Sequence, residues 1–140
     1  MKIYILFLLF ALTIARDDFI FNCFFLCTIP NRQWNYKIEV WEIDYINDFI
    51  TSTEGHSVYA EKNIKMEGYD TGDLSPNYEV RMKISHDCNK DGSWKSFDME
   101  FPDEIATSLN YYEFVFHYDL TDNSESFKNT AIRVYNEKYE

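Results

Sequence analysis

The run YEVRMKI, residues 78–84, sorts its side chains in a way that only an extended strand accommodates. Tyr78, Val80, Met82 and Ile84 fall on one side, and Glu79, Arg81 and Lys83 on the other, whereas a 3.6-residue helical period would mix the two sets. The same period recurs in Tyr36, Ile38 and Val40 against Lys37 and Glu39, and in Phe97, Met99 and Phe101 against Asp98 and Glu100. A further instance is Tyr112, Phe114, Phe116, Tyr118 and Leu120, while segments 19–27 and 57–67 carry it more weakly. Trp41 directly after Val40 interrupts the second run, so a bulge is expected there. Turn-forming stretches IPNR, TSTEG, YDTGDLSPN and NKDGS separate the runs. Short strands at this spacing predict an all-β antiparallel sandwich, and an aromatic content of 19% suits half-buried pleated surfaces. After the polar TDNSES comes a tail, 122–140, in which AIRVY is compatible with an edge strand or a short helix.

A chain of 140 residues has room for one domain of ordinary size. Its first fifteen residues, MKIYILFLLFALTIA, join a basic Lys2 to an apolar run and to small residues at Thr13 and Ala15. That order is the pattern of a secretory signal peptide cleaved after Ala15, leaving a folded domain over 16–121. Arg16, Asp17 and Asp18 stop the run well short of the roughly 20 apolar residues a membrane helix needs. The following FIFNCFFLC is short and interrupted by Asn22, so it reads as a strand, and no transmembrane span is expected. The expected location is extracellular. A net charge of −11, one unit more negative without the segment bearing Lys2, excludes the phosphate backbone of nucleic acids as a partner.

Export places Cys23, Cys27 and Cys88 in an oxidising compartment, where one disulfide and one unpaired thiol is the simplest outcome. If 19–27 is extended, Cys23 and Cys27 stand about 13 Å apart, beyond the roughly 7 Å Cα separation that a bridge spans. Cys88 therefore takes one of them, and spacing alone leaves both pairings open.

The assembled pieces resemble the nematode transthyretin-like family of small secreted proteins. FFLCTIP sets Leu26, Cys27 and Pro30 in the order of that family's first strand and turn, and KIEVWEID with its acidic loop from Asp44 to Asp48 resembles the second strand. Gly68 ends the third segment, Pro76 through YEVRMKISHDCN resembles the strand leading into His-Asp-Cys, and FDMEFPDEI and HYDL resemble the last strands. The likeness spans about residues 19–121. It implies a transthyretin-like sandwich of seven or eight strands, secretion, and a Cys27–Cys88 bridge that leaves Cys23 as the unpaired thiol. AEKNIKM departs from the family's usual Asp-Gly turn, and Cys23 stands where glycine is common.

Chemistry is harder to find in the sequence. SHDCNKDGSW places Asp87, Asn89, Asp91 and, further on, Asp98 at calcium-loop spacing, but helices should flank such a loop and a glutamate should end it. The flanks here alternate as strands, so Asp91 and Gly92 are read as the turn of a hairpin. His86 beside Asp87 is expected to orient that turn by hydrogen bonding, and His56, His86 and His117 lack zinc-ligand spacing. A Cys88 held in a disulfide is no nucleophile, and no Gly-x-Ser-x-Gly elbow is present. Hydrolases of 5-hydroxyisourate share the transthyretin fold and end in Tyr-Arg-Gly-Ser, whereas this chain ends NEKYE. No catalytic residue and no cofactor are expected. The expected function is extracellular binding of a protein or cell-surface partner through loops or a sheet edge. Carriage of a small hydrophobic ligand or lipid and calcium-assisted binding of anionic surface groups are the alternatives, with homo-oligomerisation left open.

Overall fold

The computed structural model describes residues 16–43, 46–71, 77–101, 105–106, 111–121 and 130–135. The expected signal segment 1–15, Asp44, Pro76 and residues 122–129 of the tail lie outside them. Among these residues ten strands follow one another: β1 (Asp17–Leu26), β2 (Trp34–Glu42), β3 (Asp48–Ser57), β4 (Glu61–Asp70), β5 (Asn77–Tyr78), β6 (Val80–His86), β7 (Lys95–Glu100), β8 (Ile105–Ala106), β9 (Tyr111–Asp119) and β10 (Thr130–Tyr135). Eight of them form two four-stranded sheets in the orders β10-β9-β1-β4 and β3-β2-β6-β7, while β5 and β8 make a small pair. No helix long and apolar enough to cross a membrane occurs among the described residues.

The alternating sequences lie down as the period demands. On β6, Val80, Met82 and Ile84 are buried between the sheets, and on β9 so are Tyr112, Phe114, Phe116 and Tyr118. Rings then meet across the layers: Phe101, just past β7, packs 4.7 Å from Phe114, and Phe97 stacks 4.5 Å from Tyr118. Within the first sheet, Phe19 stacks on Tyr112 at 5.0 Å and Phe21 on Phe114 at 4.9 Å. Such pairs add to the large apolar area each ring removes from water.

Three expectations need correction. The sandwich is not antiparallel throughout, because β1 runs parallel to β9 while every other ladder is antiparallel. With neighbours on both sides, β1 keeps even its outward Ile20, Phe24 and Leu26 half-buried, which explains its nearly continuous apolar run. Second, TSTEG is not a turn but the middle of β3, and the segment 57–67 holds two strands that meet at a corner over 58–60. As a sheet edge, β3 has one neighbour and buries only Ile50 and Ser57, so it needs no apolar alternation. Third, the irregularity beside Val40 exists but belongs to the partner strand. Val40 pairs with Thr51 and Trp41 with Phe49, so Ile50 is the extra residue. In the tail, β10 is the edge strand of its sheet and pairs with Tyr111 to Phe116.

Candidate functional site: a stapled loop surface

Three loops gather at the end of the sandwich where β1 gives way to β2: 27–33, 58–60 and 87–94. Cys27 and Cys88 are joined by a disulfide with Cα atoms 6.0 Å apart, tying the first loop to the third. Polar contacts complete the connection. The Cys27 amide donates to the Ala60 carbonyl at 2.7 Å, and the Trp34 indole donates to the Tyr59 carbonyl at 2.9 Å. Arg32 donates through Nη1 to the Asn89 carbonyl at 3.0 Å. Its guanidinium also lies against Gly92, whose φ of +71° and lack of a side chain permit the approach. Asn31, at φ 54°, supplies the left-handed residue that turns the first loop.

The acidic residues of SHDCNKDGSW hold this geometry. Asp87 accepts through Oδ1 from the Asn35 amide at 2.7 Å and through Oδ2 from the Asn35 side-chain amide at 2.6 Å, locking the loop to β2. Asp91 accepts through Oδ1 from the Ser93 amide and hydroxyl at 3.0 and 2.8 Å. These donors hold its carboxyl below the usual range. Asn89 donates to the Ser93 carbonyl and keeps its Oδ1 buried without a hydrogen-bond partner. Asp98 stands apart on β7, opposite Lys83.

His86 does not orient the turn by hydrogen bonding. Its ring is wholly buried, neither nitrogen has a hydrogen-bond partner, and it packs edge-on to Phe97 at 6.1 Å. Burial pushes its pKa down, outweighing the opposing effect of Asp87. Cys23 is a free thiol buried inside β1, and desolvation drives its pKa far upward.

Outward, the loops present Val58, Tyr59 and Trp94, which are 62%, 75% and 57% exposed. Sequence reasoning did not single these out. Val58 and Tyr59 sit in the corner between β3 and β4, inside the segment 57–67 whose period suggests one strand, and Trp94 directly precedes β7. Exposure at a loop tip depends on how the elements fold back, and residue type alone does not report it. A separate recess of about 430 Å³ lies on the outer face of the first sheet, lined by Phe24, Leu26, Glu61, Asn63, His117 and Asp119 among others. Phe24 stacks on His117 there at 4.5 Å.

Together these features define a disulfide-stapled, all-β double-sheet protein that displays aromatic side chains on fixed loops. The chain belongs to the family described as "Caenorhabditis elegans protein of unknown function (DUF870)", whose model matches residues 22–131. That span runs from the middle of β1 into β10 and includes all three loops. No curated protein and no solved structure matches the chain.

Proposed function

We propose that the chain is a secreted, non-enzymatic, transthyretin-like module that binds an extracellular protein partner through loops 27–33, 58–60 and 87–94. The observation that carries this reading is the exposure of Tyr59 and Trp94 on loops each fixed to segment 27–34, the first by the Cys27 amide and Trp34 indole hydrogen bonds and the second by the Cys27–Cys88 bridge and Arg32. Tyrosine and tryptophan supply much of the energy of protein interfaces, and loops already held in place lose little freedom on binding. The net charge of −11 favours a basic partner and faster encounter with it. Two facing four-stranded sheets and a bridge from the first strand to the 87–94 loop support the transthyretin-like assignment. The test is capture from extracellular fluid on immobilised protein, comparing wild type with the Tyr59→Ala/Trp94→Ala pair. At least a tenfold loss of the captured protein is expected, and undiminished capture would refute the loop surface.

One observation favours a second reading, carriage of a small hydrophobic ligand. The recess beside Phe24 and His117 has a volume in the range of ligand sites. Native mass spectrometry of the secreted protein would then find a hydrophobe that Phe24→Ala releases, and ligand-free protein would count against carriage.

A further inference from the structure

The outer face of the second sheet carries an open groove of about 690 Å³. Two rows of outward side chains build it. In one row, Glu54 on β3 is in register with Lys37 on β2, Lys37 with Ser85 on β6, and Ser85 with Ser96 on β7. In the other, His56 on β3 stands opposite Asn35 on β2, and Trp94, directly before β7, closes the far side. The two-residue period dictates this arrangement, because Ile38 and Ile84 turn into the core and leave the alternate positions facing out.

Several of these groups are fixed by their own neighbours. The Asn35 side-chain amide donates to Asp87 at 2.6 Å, which holds the carboxamide and leaves its carbonyl oxygen to accept from a ligand. The Ser85 and Ser96 hydroxyls bond to each other at 2.7 Å, and Lys37 pairs with Glu39 at 3.0 Å. Beside this polar floor the Trp94 indole is 57% exposed, and Glu54 and His56 are exposed as well.

We infer that this groove binds a neutral oligosaccharide, one sugar ring lying on Trp94. Charge decides against ions: Lys37 in the floor opposes a cation, while Glu39 and Glu54 beside it, in a chain of net charge −11, oppose an anion. An apolar ligand would strip water from the carboxamide and hydroxyls without replacing those hydrogen bonds. A sugar meets both conditions. Its hydroxyls donate to Asn35 Oδ1 and the Glu54 carboxylate and accept from Lys37 and the serines, while its C–H face rests on the negative face of the indole. The volume falls within the span of small-ligand sites. The groove shares Trp94 with the loop surface but not Tyr59, so the inference does not rest on the loop-binding reading.

The test is titration of the full secreted chain with neutral trisaccharides of glucose, mannose, galactose and N-acetylglucosamine, and with a sulfated trisaccharide. Binding is read by calorimetry and by acrylamide quenching of tryptophan fluorescence, which reports chiefly on Trp94 because Trp34 is buried and Trp41 half-buried. At least one neutral trisaccharide should bind and protect Trp94 from quenching. Trp94→Ala should weaken that binding at least about tenfold. Glu54→Gln alters an exposed side chain and should fold normally, yet weaken the sugar about threefold to tenfold while capturing the protein partner as wild type does. Tyr59→Ala should bind the sugar unchanged, so failure of the groove and failure of the loop surface are read separately. Binding of no neutral trisaccharide, tighter binding of the sulfated one, undiminished affinity in Trp94→Ala, or loss in Tyr59→Ala would each overturn the assignment.

Discussion

Replacing both Cys27 and Cys88 with alanine tests how much of this fold the single staple sustains. The bridged residues are 61 positions apart, and the chain-entropy relation for a loop of that length gives about 4 kcal/mol. A domain of this size has a total stability of roughly 5–15 kcal/mol, so the loss is a large fraction of the whole. Native contacts should persist, because Arg32 still reaches Asn89, the Cys27 amide still meets Ala60, and Asp87 still holds Asn35. The variant is therefore expected to fold, but to unfold early. With a urea slope of about 2 kcal/mol per molar, the midpoint should fall by roughly 2 M at unchanged slope. Wild type held in strong reductant should follow the variant's curve. A midpoint drop below about 0.5 M would show that the denatured chain gains little freedom when the bridge is removed, and would refute the entropic argument.

Burial of His86 predicts an acid limb in stability. Its folded pKa is depressed, so as pH falls below the unfolded value of about 6.5 the unfolded chain takes up a proton that the folded one refuses. Stability is then full above that pH and declines beneath it, with a slope approaching one proton. Melting curves between pH 7.5 and 5 should show this decline in wild type but not in His86→Phe, and identical profiles would refute it. Asp91 acts in a lower window, since its depressed pKa adds stability that is lost only as its carboxyl protonates. Cys23 should resist iodoacetamide at pH 8 in the folded protein and react once urea exposes it, because it is buried and its thiolate is strongly disfavoured. Gly68→Ala should cost about 1–3 kcal/mol in urea unfolding. Its Cβ would lie 2.6 Å from Ile50 Cγ2 and 2.8 Å from the Ile50 carbonyl, and that backbone cannot yield cheaply. Gly55→Ala should be milder, since its nearest obstacle is the movable hydroxyl end of Tyr36 at 2.7 Å.

The extent to which the fold could be read in advance follows from how each strand meets water. β6 and β9 lie inside their sheets with one face in the core, so a two-residue period is written directly into their side chains. The edge strand β3 buries almost nothing, and its TSTEG carries the same composition as a turn. No local signal separates the two states, because what makes it a strand is the ladder offered by β2. The loop residues divide similarly. Gly92 and Asn31 could be recognised as turn formers from residue type, whereas the exposure of Tyr59 and Trp94 depends on how distant segments pack around them.

Alternation and turn chemistry thus determined that the chain is all-β and which faces of its inner strands point inward, because these are properties of a few consecutive residues. Pairing over long separations was decided only in three dimensions: the parallel contact of β1 with β9, and the stacking of Phe97 on Tyr118. Neighbours along the chain carry no record of such contacts. They arise when two sheets close over one core and bring side chains from opposite layers within a few ångströms.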